Sequence, residues 1–204
     1  MNKLKLALRK FIFGEKATPE TYLESLRDKG AVIGEDVHIY SPNHTFIDES
    51  IPFMLRIGNH VHITLGVHIL CHDYSWAVIK HLHGKVLGGM GKVEIGDNVF
   101  IGVGSVILMN TTIGNNVIIG AGSVVHGCIP DNVVVAGSPA KVICSLDEYH
   151  EKRERRQYEE AKQIVQEYKK RYGVLPPRKN CQLTSSSSSR VRNCQIQYSL
   201  HVCA

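Results

Sequence analysis

From Ile95 onward an aliphatic residue recurs every six positions: Ile95, Ile101, Ile107, Ile113, Ile119 and Val125. Glycine follows four of them, at Gly96, Gly102, Gly114 and Gly120. A small or β-branched residue stands four positions after each start, at Val99, Ser105, Thr111, Val117 and Ser123. A period of six matches neither the 3.6 of a helix nor the 2 of a flat strand. It describes a short strand and a corner, repeated. The aliphatic and the small residue point inward and stack on their equivalents in the adjacent coils, and glycine lets the chain turn. Three such strands close a triangular coil of roughly 18 residues, and successive coils lie about 4.8 Å apart. The chain is therefore expected to form an all-β solenoid, a parallel β-helix.

An earlier block carries the same spacing: Ile33, Ile39, Ile51, Ile57, Ile63 and Ile69, with Thr45 as its weak member. The two blocks are out of phase, because Ile69 to Ile95 is not a multiple of six. The segment Cys71–Gly91, with His72, Asp73, Trp76, His81 and His83, has no period of its own. A loop of that length is usually functional or disordered, and it is expected to leave the solenoid beside the active site.

The flanks read as helices. Thr18–Pro19–Glu20 is a helix start and Gly30 a stop. Ser145 and Glu148 have the spacing of a capping box, and Ala161, Ile164, Val165, Tyr168 and Tyr172 share one helical face. Residues 1–30 are thus expected to be a helical cap, 31–144 the solenoid and 145–175 a C-terminal helix. Residues 176–204, with five consecutive serines from Ser185, read as a disordered tail unrelated to the rest.

Composition sets the outer limits. Hydrophobic residues at 43% and charged residues at 21% of 204 are those of a globular chain. No apolar run is long enough for a membrane helix, and the basic N-terminus lacks the form of a signal peptide. The net charge of +5 invites a nucleic-acid reading. Its distribution argues against one: residues 31–145 hold five basic and eight acidic side chains. The excess lies in the flanks, where Lys3 to Lys10 favour at most weak contact with an anionic membrane surface. Of the 18 glycines, 15 fall between Gly34 and Gly137, which marks out the solenoid instead. The six cysteines show no CxxC pair and read as free thiols in a reducing compartment, hence a cytoplasmic protein.

Three stretches carry a resemblance: "ILCHDYS" from Ile69, "KVEIGDNVFIGVGSVI" from Lys92, and "VIIGAGSVVHGCIPDNVVVAGSPAKVI" from Val117. Over residues 31–144 the chain resembles the hexapeptide-repeat acyltransferases, specifically the bacterial galactoside, maltose and xenobiotic acetyltransferase group. The resemblance implies a left-handed β-helix, acetyl-CoA as co-substrate, no required metal, and a homotrimer with its sites between subunits. It implies O-acetylation of a sugar or polysaccharide-precursor hydroxyl, with His72 as general base. A hydroxyl must lose its proton as it attacks a thioester, and imidazole, with an unperturbed pKa near 6.5, can take it at neutral pH. No acyl-enzyme is needed, so the adjacent Cys71 is not the nucleophile.

By position, the resemblance assigns cofactor contacts to Phe100, Gly102, Val103, Ala121, His126 and Lys141, and acceptor contacts to Asn43 and Asp73. Asp73 is also a candidate to orient His72. Phe100 stands where the family usually has Trp, and Gly127 where it often has a basic residue. His81 and His83 read as loop surface. His44 and His62, one nominal coil apart, are expected to stack on the outer surface, which leaves a metal hydratase resembling carbonic anhydrase as an alternative. N-acetylation of an amino sugar, serine or an antibiotic, and a non-catalytic scaffold, are the others.

Overall fold

The computed structural model describes residues 3–176; the serine-rich tail, on which the expectation of disorder falls, lies outside the described residues from 177 on. Residues 1–149 form one compact unit, and the segment from His150 belongs to a second. In the first unit the chain winds as a parallel β-helix with three faces. The first face stacks strands ending at Ile33, Ile57, Ile95, Ile113 and Ile129. The second stacks those ending at Ile39, Ile63, Ile101 and Ile119 and then Val135. On the third, Ile47, Ile69, Ile107 and Val125 lie in register. Apart from Ile33, which is partly buried and packs against the core, these side chains are buried and make one continuous core with Val61, Val67, Val93, Val99 and Val117. Strands of two or three residues suffice because each is hydrogen-bonded to the coils above and below.

The expected 18-residue coil holds from the third coil to the fourth, where Glu94 pairs with Thr112 and Phe100 with Ile118. The first coil is different. Val32 pairs with Arg56 and His38 with His62. Two 3₁₀ turns, Pro42–His44 and Pro52–Met54, lengthen its second and third sides. Ile39 to Ile47 and Ile47 to Ile57 are stretched by amounts that together equal one repeat, so the six-residue phase returns at Ile57. The strand position is therefore Ile47, and neither Thr45 nor Ile51. Thr45 closes the first turn and Ile51 opens the second. The same lengthening corrects the expected histidine stack. His62 lies against His38, with ring centroids 5.0 Å apart, and His44 instead faces Ser41 Oγ at 2.9 Å.

The corners between the first and second faces show what the glycines do. The left-handed backbone there belongs to Asp36, His60, Asn98, Asn116 and Asn132, with φ near +55° to +60°, a conformation short polar side chains tolerate best. Gly96 is not in that region. A Cβ on it would lie 2.7 Å from the Gly114 carbonyl oxygen of the next coil. Close approach of stacked backbones, rather than turning, is what demands glycine there. The neighbouring side chains form a ladder: Asp97 Oδ1 accepts from Asn59 N at 2.7 Å, and Asp131 Oδ1 from Asn115 N at 2.7 Å.

Helix α1 spans Lys3–Phe13 and helix α2 Pro19–Asp28. Thr18 caps α2 reciprocally with Thr21, and α2 buries Tyr22, Leu23 and Leu26 in the core at the first coil. At the other end the "VAGSPAKVI" stretch folds back. Val133–Gly137 pairs antiparallel with Ala140–Ser145, which covers the last open edge of the second face. Ser145 Oγ and the Glu148 carboxylate form the capping box that opens the C-terminal helix Leu146–Tyr172.

Candidate active site

The twenty extra residues between the second and third coils leave and re-enter the solenoid at one point. Gly91 N donates to Cys71 O at 2.9 Å and Asp73 N to Gly89 O at 3.0 Å, with His72 bridged to Met90. The loop thus has a narrow two-stranded neck. It is not wholly irregular, as the sequence suggested: its outer part carries helix α3, Trp76–His83, closed by Gly84 at φ +71°. No α3 residue is buried, and Val78 and Leu82 are exposed. His81 and His83 lie on the exposed surface, as expected.

His72 sits at the base of that neck, where the chain turns from the third face toward the first. Its side chain is 20% exposed. The Nδ1 atom is in short contact with Asp48 Oδ2, and Ser50 Oγ lies 3.1 Å from it. Asp48 occupies the corresponding corner of the preceding coil, one residue past Ile47, and its side chain is 1% exposed. Its carboxylate is fully engaged. Oδ1 accepts from Ser50 N at 3.0 Å and Ser50 Oγ at 2.6 Å, and Oδ2 also accepts from Cys71 N at 3.0 Å. Burial pushes the Asp48 pKa up, but the bonds from Ser50, His72 and Cys71 outweigh it and hold the carboxyl below the ordinary aspartate range.

An ionised carboxylate can only accept, so Nδ1 of His72 carries the proton. In the neutral imidazole that leaves the Nε2 lone pair free to take a proton. The Tyr74 ring stands edge-on to the imidazole, with centroids 5.0 Å apart at 77°, and Trp76 is 6.2 Å beyond Tyr74. Cys71 is fully buried, and burial raises its thiol pKa to about 11. A protonated, buried thiol is a poor nucleophile.

Asp48 is the residue the sequence reading missed, and it takes the place considered for Asp73. The Asp73 carboxylate is committed to the loop neck: Oδ1 accepts from Ser75 N at 2.9 Å, Ser75 Oγ at 2.7 Å and Gly89 N at 3.1 Å. Those bonds lower its pKa, and the orientation of His72 falls to Asp48.

The remaining candidates divide between two edges of the prism. Gly102, Val103 and Ala121 come together at the corner between the second and third faces. Gly102 N donates to Ile119 O at 2.9 Å, and Gly122 N to Val103 O at 2.8 Å. Val103 and Ala121 are exposed. Lys141 extends the same edge, paired with Ala136 on the closing hairpin, beside the position where Ala136 meets Gly120. Asn43 is on this edge too, half-buried in the turn of the first coil. His126 is not; it leaves the third face after Val125, on the edge of His72 and two coils further along. Phe100 stands half-exposed on the second face between His62 and Ile118. The His72 edge and the Gly102–Ala121 edge are thus different corners of the prism, separated by one of its faces. A cleft of about 530 Å³ near α2 is lined by Glu15, Glu24, Asp28 and Lys29 and shares no residue with either edge.

The buried Asp48 gives a test of the geometry. Its lowered pKa means that its stabilisation is complete above the unfolded-state value, near 4, and is lost as pH falls through the lower folded value. Asp48→Asn is expected to cost about 1–3 kcal/mol at neutral pH, because an amide NH₂ would face a donor. The gap from wild type narrows below about pH 4, as denaturant midpoints across pH will show.

The solenoid thus holds an aspartate-oriented imidazole at the mouth of an extruded loop. The family model described as bacterial transferase hexapeptide (six repeats) matches residues 92–127. Protein CapG of Staphylococcus aureus is 43% identical over 130 residues, 63% of this chain and 74% of its own length. YvoF of Bacillus subtilis, whose name assigns it provisionally to the acetyltransferases, is 32% identical over 105 residues, 52% of this chain and 56% of its own. Among solved structures, a hexapeptide-repeat-containing acetyltransferase from Vibrio cholerae shares the fold, with a TM-score of 0.50, 22% identity, and coverage of 71% of this chain and 90% of that one. The chain belongs to the hexapeptide-repeat acyltransferases, with their left-handed β-helix, and is an acyltransferase.

Proposed function

We propose that the chain transfers an acetyl group from acetyl-CoA to a hydroxyl of a sugar or polysaccharide precursor, with His72 as general base. The observation that carries this is the buried Asp48 on His72 Nδ1, which leaves Nε2 as the acceptor of the hydroxyl proton. Asp48 is a positioning residue: it fixes the tautomer and stabilises the imidazolium formed as the alkoxide attacks the thioester carbonyl. The proton then passes from Nε2 toward the departing CoA thiolate. Tyr74 and Trp76 support a sugar acceptor, since flat aromatic faces beside the base suit the apolar C–H face of a pyranose. Asn43 is the polar acceptor contact.

The cofactor takes the opposite edge. Gly102, Val103 and Ala121 present a surface without bulky side chains, along which the pantetheine lies close to the backbone. Phe100 flanks it, and Lys141 meets the phosphates as one of only five cationic side chains in residues 31–145. His126, on the His72 edge, faces the cofactor from the other side. Because the two edges of one chain are a full face apart, the site is completed by a second subunit in a closed homotrimer. In this arrangement residues 1–30 cap a catalytic solenoid of 31–144, and the helix of 145–175 follows it.

The experiment combines an acceptor panel with complementation. Purified protein is expected to acetylate glycosides from acetyl-CoA; failure to bind CoA and to acetylate any of them overturns the reading, and transfer confined to amines would make it an N-acetyltransferase. Subunits carrying His72→Ala and subunits carrying Lys141→Glu, each weak alone, regain activity when co-refolded if the site is shared. No regain, with mixed oligomers present, places each site within one chain.

A further inference from the structure

Helix α1 reads Lys-Leu-Lys-Leu-Ala-Leu-Arg-Lys-Phe-Ile-Phe and contains four basic residues and no acidic one. In the folded chain Leu8, Phe11 and Ile12 are exposed, Phe11 to 88%. They stand at spacings of three and four and so share one stripe of the helix. The helix is tied to the body at its end: Arg9 Nε donates to Ala17 O at 2.9 Å, and its guanidinium lies 5.6 Å from the centre of the Phe13 ring. The four basic residues of the helix are Lys3, Lys5, Arg9 and Lys10. An exposed apolar stripe on a helix of eleven residues that carries four basic residues and no acidic one is the pattern of a helix that lies in a membrane interface.

We infer that α1 is an in-plane anchor that seats the protein on a bilayer rich in anionic lipid. Charge complementarity selects this occupant. Four basic residues and no acidic one in eleven positions call for a negatively charged partner, and a sheet of anionic headgroups supplies it without a matched set of acidic residues. Leu8, Phe11 and Ile12 enter the acyl boundary, and the basic residues stay among the headgroups. Each basic residue near such a surface strengthens binding by about fivefold, so anionic vesicles are favoured over zwitterionic ones by on the order of 10²-fold. The inference is independent of the acetyl-transfer reading, because α1 holds none of the residues assigned to that site.

Vesicle co-sedimentation of the full chain tests it, with phosphatidylcholine vesicles with and without phosphatidylglycerol. The protein is expected to sediment with the phosphatidylglycerol vesicles and to be released by high salt. Phe11→Glu abolishes this, while Lys5→Glu with Lys10→Glu abolishes the lipid preference in a chain whose apolar stripe is intact. Acetyl transfer to a soluble acceptor and the thermal midpoint are unchanged in both variants. Equal binding to the two kinds of vesicle, or none at low salt, overturns the inference. A lighter particle in light scattering for Phe11→Glu, with no vesicle binding by wild type, overturns it in favour of a second copy covering the stripe.

Discussion

With His72 replaced by alanine, acetyl transfer at neutral pH falls by about 10²–10⁴-fold while CoA still binds. That is the range a positioned general base contributes. The remaining rate comes from holding thioester and hydroxyl together, which the substitution leaves in place. The loss should appear in kcat, with KM for acetyl-CoA little changed, since the substitution leaves the cofactor contacts proposed for Gly102, Val103, Ala121 and Lys141 in place. Asp48→Asn should fall on the same kcat axis, because an amide donor facing Nδ1 favours the wrong tautomer. Steady-state kinetics on both variants check this; undiminished turnover in His72→Ala would remove the imidazole from the mechanism and return the scaffold reading.

Ile101→Ala is expected to destabilise the fold by about 2–5 kcal/mol, the usual cost of a large-to-small change at a closed core position. Ile101 is wholly buried and lies in register between Ile63 and Ile119 on the second face. Its neighbours are held by backbone ladders on both sides and cannot collapse into the space. A solenoid is stabilised coil by coil through nearest-neighbour contacts, so a weakened rung in the middle divides the stack. Denaturant unfolding is expected to show a lower midpoint and, if the halves part company, a lower slope as well.

The coils from Ile95 to Val125 were legible because nothing interrupts them, and each aliphatic, small and glycine position has one structural meaning. The first coil was misread for a physical reason. Its two 3₁₀ turns add a total of one repeat, so Ile33, Ile39 and Ile57 keep the phase while Ile47 drops out of it. That slip hid the partner of His72. With Ile47 recognised as the strand residue, Asp48 falls at the corner directly preceding that of His72. With Thr45 and Ile51 in its place, Asp48 looks like a loop residue. Helix α3 left no mark because it buries no face, and apolar periodicity reports burial. His72 was singled out by the family resemblance at "ILCHDYS", whereas the separation of His72 from Gly102, Ala121 and Lys141 onto two edges depends on which corner each occupies.

The neck that joins Cys71 to Gly91 has a consequence for how such an enzyme diversifies. The loop departs and returns at neighbouring points of one corner, and the coils on either side, Arg56 with Glu94 and His62 with Phe100, stay in register across it. Everything beyond Asp73 and Gly89 can therefore change length and character without any coil shifting its stacking. His72 and Asp48 belong to the frame, while the surface proposed to meet the acceptor hangs from it by two strands. On the proposed assignment of roles, such a chain can inherit its chemistry unaltered and acquire a new acceptor by exchanging a single pendant segment.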